Sequence, residues 1–189
     1  PTGAYSITGA DSFKVYPVNA SDRVNTAAEL TAKLADSSVS EIALESGAVI
    51  EGTFTVNRAV TIKSFDGNKA TIKGRVNISG DAVSATFKDV NFDVNDASKV
   101  KWTSGGSILK SYPSIVMAEN NNGLVSFVDC AFNLGSGVTA YSNSSSGKAI
   151  FNHCAFNGAF NYALYVRANI EVVDCTYNST LKNVIAGAC

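Results

Sequence analysis

Apolar residues along this chain fall into short runs that recur as a phrase. TFKDVNFD at Thr86 to Asp93 returns as SFVDCAFN at Ser126 to Asn133, IFNHCAFN at Ile150 to Asn157 and EVVDCTYN at Glu171 to Asn178. Aligned, the copies put Phe87, Phe127, Phe151 and Val172 in one apolar column, Val90, Cys130, Cys154 and Cys175 in a second, and Phe92, Phe132, Phe156 and Tyr177 in a third. A polar column of Asp93, Asn133, Asn157 and Asn178 closes the phrase, and its asparagines are expected to form a ladder of side-chain amides hydrogen-bonded along the coil. A fainter copy, TIKSFDGN, aligns Ile62 with Phe87 and Phe65 with Val90. The second-column residues then stand 25, 40, 24 and 21 positions apart. Self-similarity at about 20–50 residues marks a stacked-repeat architecture.

A flat strand keeps one face only at even spacing, so apolar residues at positions 2, 5 and 7 of the phrase straddle a bend. Each phrase therefore predicts two short strands joined at a corner. The period is too short for a strand plus a full helix, and β-branched and aromatic residues run throughout. Coils of three short strands follow, each strand pairing in parallel with its counterpart about 4.8 Å away in the next coil. Over roughly Glu41 to Cys175 the chain resembles the right-handed β-helix superfamily named after pectin lyases. The expected fold is all-β: a single-stranded right-handed parallel β-helix with a short N-terminal capping helix. The superfamily includes polysaccharide lyases, phage tailspikes, adhesins and virion proteins, so the resemblance implies a fold and no single function.

In chain order, residues 1–24 read as an N-terminal arm, with a first irregular strand around Ser12 to Val18, and 25–189 as the β-helix domain. Thr26-Ala27-Ala28-Glu29 is a capping box that starts a helix over about Ala27 to Ala35, placed to cover the first coil. Coils begin near Glu41, with Ile42, Leu44, Val49, Phe54, Val56, Val60, Ile62, Ile72, Val76, Ile78, Val83 and Phe87 as inward positions. Gly47 and Gly52 mark corners, as do Asp66-Gly67 and Gly80-Asp81. The interval of 40 from Val90 to Cys130 exceeds one coil, which predicts an insertion loop over about 95–113 containing Trp102 and Tyr112. A second polar stretch, Gly135 to Gly147, reads as a flexible loop. After Cys175, Leu181, Val184 and Ile185 form the only apolar cluster of a tail whose single charge is Lys182. Trp102, Tyr112, Leu181, Val184 and Ile185 are the candidate partner contacts.

Composition narrows the function. Charged residues are 16% of the chain, against about 25% in an average protein, and Ser, Thr, Asn and Gly fill the difference. That surface suits a protein in a dense assembly or outside a cell. Net charge is −1 with no Lys or Arg run, which argues against nucleic acid and anionic membranes as partners. No apolar stretch approaches the roughly 20 residues of a membrane span, and the first residues lack the pattern of a secretory signal. Synthesis in a host cytoplasm is the expectation.

Candidate chemistry is sparse. Stacked Cys130, Cys154 and Cys175 would hold their β-carbons near 4.8 Å apart, beyond the usual 3.5–4.5 Å of a disulfide, so buried free thiols are expected. A vertical line of thiols does not converge as a zinc site must, and His153, which alternates with Cys154, should point outward. Asp89, Asp129 and Asp174 align on an outer column that could hold calcium or paired carboxylates, but His153 interrupts it. The acidic calcium-ligand cluster of lyases is not evident, and the NTD, DD, GHG and RIK strings of polygalacturonases do not occur. The reading is a protein with no catalytic residues, cofactor or metal. It is expected to be a structural virion component, such as a phage capsid decoration or cement protein or a fibre-associated domain. It would contact a major capsid protein or tail components and form a homo-oligomer. The alternative is an extracellular carbohydrate-binding or polysaccharide-cleaving β-helix.

Overall fold

The computed structural model describes residues 23–95, 100–104, 107–117, 121–133, 136–140, 147–158, 164–166, 169–178 and 185–187; for 100–104, 107–113, 116, 136–140, 165–166 and 185–187 it describes the backbone alone. The chain enters through α1 (Ala27–Ala35). The Thr26 hydroxyl accepts from the Glu29 N–H at 3.3 Å, and the Glu29 carboxylate accepts from the Thr26 N–H at 2.9 Å. That is the reciprocal cap that the Thr-x-x-Glu spacing predicts. At the other end, the Arg58 guanidinium donates to the carbonyls of Lys33 and Leu34, closing acceptors that the helix leaves open, and to that of Val39 beyond it.

The rest is a parallel β-solenoid. β1 (Glu41–Leu44) and β2 (Val49–Val56) make the first coil, and β3 (Val60–Ser64) and β4 (Ala70–Ile78) the second. The third holds β5 (Ala85–Lys88), β6 (Val90–Asp93) and the hairpin of β7 (Val100–Ser104) with β8 (Ser107–Met117). β9 (Leu124–Val128), β10 (Ala131–Phe132) and β11 (Ser136–Ala140) form the next coil, and β12 (Lys148–Asn152), β13 (Ala155–Asn157) and β14 (Leu164–Val166) the one after. β15 (Asn169–Val173), β16 (Thr176–Asn178) and β17 (Ile185–Gly187) end the stack. One face is the six-stranded sheet β1-β3-β5-β9-β12-β15. The other two faces are one sheet, because β2 and β4 run unbroken around a bend at Gly52 and Gly74. The first half of β4 pairs with β6 and its second half with β8. Helix α1 lies on β2, with Leu30 and Leu34 buried.

Like residues stack with like. Ile42, Ile62, Phe87, Phe127, Phe151 and Val172 are in register on the first face. Ile50, Ile72, Phe92, Phe132, Phe156 and Tyr177 are in register on the second. Rings stack along each column, with centroids 4.9 Å apart for Phe127–Phe151 and for Phe132–Phe156, while the two columns meet edge-on, as in Phe87–Phe92 at 5.5 Å and 75°. Both arrangements suit the ring quadrupole.

Four details differ from the sequence reading. Ala70, not Phe65, stands beneath Val90, because residues 65–69 loop out before β4 begins. The Ser64 hydroxyl bridges that gap, donating to the Asp89 carbonyl and accepting from the Ala70 N–H. Phe65 instead lies outside the core, with the Arg23 guanidinium 3.4 Å from its ring centroid. Val49 is 63% exposed and Ile50 takes the inward place, since the strand alternates and Ile50 aligns with Ile72. The 95–113 insertion is partly an antiparallel hairpin, and Tyr112 pairs with Ser136 in the stack. The stretch read as a second loop contains β11, a strand of the third face. Among the described residues no helix is long and apolar enough to cross a membrane.

Candidate functional site

Each repeated phrase turns its corner on a single left-handed residue: Asp89 at φ +55°, Asp129 at +53°, His153 at +52° and Asp174 at +49°. Asp and His are among the non-glycine residues that accept this conformation best, because their short polar side chains can bond locally. The outer column therefore answers a backbone requirement. Replacing Asp129 with Gly or Asn is expected to leave stability within about 0.5 kcal/mol, whereas Asp129→Val should cost about 1–2 kcal/mol. Urea unfolding of the three variants decides it; equal midpoints would show that conformation does not select the column.

The column also brings charges together. His153 Nε2 lies 3.4 Å from Asp174 Oδ2, and Nδ1 lies 3.9 Å from Asp129 Oδ1, all largely in solvent. The imidazole stands between the two carboxylates. Among the described residues no three His, Cys, Asp or Glu side chains converge as a metal cage. A shallow groove lies beside β1, lined by Lys33, Ser40, Glu41, Lys63 and Phe65 among others. Among its described lining residues the carboxylate is that of Glu41, ion-paired to Lys63 at 2.7 Å, so the described residues do not assemble the paired acids of glycoside hydrolysis there.

Two further ladders run up the coil. The Asn157 amide donates to Asn133 Oδ1 at 2.9 Å, and the Asn178 amide to Asn157 Oδ1 at 2.8 Å, the stacked-amide bonding expected of the polar column. Cys130, Cys154 and Cys175 are free thiols. Cys130 and Cys154 are buried as expected, while Cys175 is only partly covered, since no described coil stacks beyond its own. Burial pushes the Cys130 thiol well up and raises Cys175, whereas the neighbouring Cys130 thiol draws Cys154 down.

The two ends of the solenoid differ. At the start, Val24 pairs with Leu44 and is buried, and α1 covers the neighbouring strand. At the finish, β15, β16 and β17 are the end strands of their sheets. Ile170, Val172, Cys175 and Tyr177 are only partly buried, where Ala149, Phe151, Cys154 and Phe156 one coil earlier are fully buried. Tyr177 stacks on Phe156 at 5.1 Å, but its buried hydroxyl has no hydrogen-bond partner among the described residues. The Asn169 N–H donates to Gly147 and the Val173 carbonyl accepts from His153, so in a parallel ladder the backbone groups of Ile170 and Val172 point away from the stack.

Of the residues singled out from sequence, Trp102 sits in β7 opposite Leu109, Tyr112 in β8 opposite Ser136, and Ile185 in β17 opposite Leu164. Leu181 and Val184 lie outside the described residues. The sequence reading placed the contact surface at the C-terminal end, in the tail after Cys175; the signal for the edge of β15 itself was the smaller Val172 ending a column of phenylalanines. The chain matches no protein-family model, no curated protein and no solved structure.

Proposed function

We propose that this chain is a non-catalytic structural protein of a virion, such as a capsid decoration or cement protein or a fibre-associated domain, that works through protein–protein contacts. The observation behind this reading is the asymmetry of the solenoid among the described residues: Val24 and α1 cover the first coil, and no described residue covers the last. Unpaired strand edges with partly exposed core are what self-contained proteins block with charge, proline or a cap. The low charge content agrees with it as well, since 16% of the chain is charged against about 25% in an average protein, which suits a surface largely covered in an assembly. The partners would be a major capsid protein or tail components, with self-association, in a virion built in a host cytoplasm. The resemblance to pectin-lyase-like β-helices is consistent with this, since phage proteins use that fold.

The test is Val172→Pro. Its N–H points off the open edge, so proline removes a docking group without breaking a bond to β12. The expected result is an unchanged melting temperature with loss of the assembled form in light scattering and loss of retention on native particles. The competing reading is an extracellular carbohydrate-binding or polysaccharide-cleaving β-helix, favoured by the solvent-facing Asp129, His153 and Asp174 corner. Unchanged assembly together with glycan binding that His153→Asn abolishes would select that reading instead.

A further inference from the structure

The three stacked thiols have the same surroundings, one coil apart. Cys130 Sγ donates to the carbonyls of Val128 at 3.4 Å and Phe87 at 3.5 Å. Cys154 Sγ does so to Asn152 and Phe127, both at 3.5 Å, and Cys175 Sγ to Val173 at 3.4 Å and Phe151 at 3.6 Å. In each case the acceptors are the residue two before the cysteine and the first-column residue of the previous coil. Side chains making the same contacts share one direction, so their sulfurs repeat with the coil, about 4.8 Å apart. A disulfide would have to pull the two sulfurs to about 2.0 Å and compress the backbone. A tetrahedral zinc site would need four converging ligands.

One kind of ligand fits the spacing as it stands. A thiolate bond to a d10 ion such as zinc is about 2.3 Å, so two such bonds on opposite sides of one ion span about 4.6 Å. Soft ions are the ones that thiolates select. The open end supplies the entry, because Cys175 is partly exposed while Cys154 beneath it is buried. A second contact favours a thiolate there: the Cys154 backbone N–H donates to Cys175 Sγ at 3.4 Å.

We propose that Cys154 and Cys175 form a binding site for a soft, two-coordinate d10 cation of the Cu(I) and Ag(I) type, held in line between their sulfurs. Each thiol gives up one proton to solvent and each thiolate makes one bond to the ion, so a univalent cation leaves a complex of net charge −1 and releases two protons. Cys130 is too deep in the stack to be reached without opening the coil, and takes no part.

The test is titration of the reduced, metal-free full chain with Ag⁺ in chloride-free buffer, read by native mass spectrometry, proton release and thermal melting. One tightly held ion per folded chain, two protons released and a raised melting temperature are expected. Because Val90 occupies the same column, valine is the substitution that fits: Cys154→Val and Cys175→Val should each lose the ion and its thermal shift, while Cys130→Val keeps both. Cys189→Ser, outside the described residues, should also keep both. If Cys154→Val still binds the ion, Cys175 is reacting as an ordinary exposed thiol and the site is wrong. It is equally wrong if Cys189→Ser abolishes binding, or if the ion is taken up only after unfolding.

Discussion

Phe132→Ala is expected to remove about 3–5 kcal/mol of stability, a large part of the roughly 5–15 kcal/mol that holds a domain folded. Phe132 is fully buried, stacked 5.0 Å from Phe92 on one side and 4.9 Å from Phe156 on the other, and edge-on to Phe127 at 5.6 Å. Truncation opens a cavity between three coils, and neighbouring rings held in two stacks can collapse into it only slightly. Each coil contacts only the coils next to it, so a break in the middle of the column weakens the stack on both sides. Denaturant unfolding followed by far-ultraviolet circular dichroism and by aromatic fluorescence should give one transition, shifted to lower denaturant with both probes. Separate transitions, with the early coils unfolding at the parent midpoint, would show that the ring column does not couple the coils. A variant within a couple of degrees of the parent in melting would contradict the register itself.

Gly74→Ala should be at least as damaging, for a reason that has nothing to do with the core. Gly74 turns β4 from the second face to the third at φ +136°, a region closed to side-chain-bearing residues. A β-carbon there would stand 2.1 Å from the Gly52 carbonyl oxygen, which occupies the same bend one coil below. Backbone strain of this kind costs about 1–3 kcal/mol and forced overpacking about the same again. Relief would require two coils to separate, and the parallel ladder between β2 and β4 forbids that. The control is Gly67→Ala, at φ +80° in a turn with open space around the added carbon. It should cost only about 1–2 kcal/mol. Soluble yield and melting temperature read both variants; equal behaviour would mean the bend can move.

Where sequence and structure agree, the property is one that stacking imposes on every coil. Phe87, Phe127 and Phe151 could be placed in one column because in-register parallel strands bring the same side of each coil together, and similar side chains then pack best. The same logic made the asparagine ladder legible, since an amide can both donate and accept along the stack. The capping box of α1 was legible because it is local: Thr26 and Glu29 satisfy each other across three residues.

Where they differ, one local choice was decided by contacts from far along the chain. Phe65 matched the column of Val90 by spacing, but an apolar residue can also be covered from outside, and Arg23 covers it there. Val49 and Ile50 are equally apolar, and only pairing with Thr71 and Ile72 settles which faces the core. The aspartates at 89, 129 and 174 looked like a row of charges, while their shared φ shows a corner that selects them for backbone shape.

By itself, then, the sequence determined the repeat, the parallel stacking, the apolar columns and the helix at the start, because each depends on residue type at fixed spacing. Only the tertiary structure decided that β15 is the strand at the edge of its sheet among the described residues, where two glycines must face each other, and which backbone carbonyls the stacked thiols meet. Those are relations between coils, and a sequence specifies them only through the backbone path that brings residue 52 to residue 74 and residue 154 to residue 175.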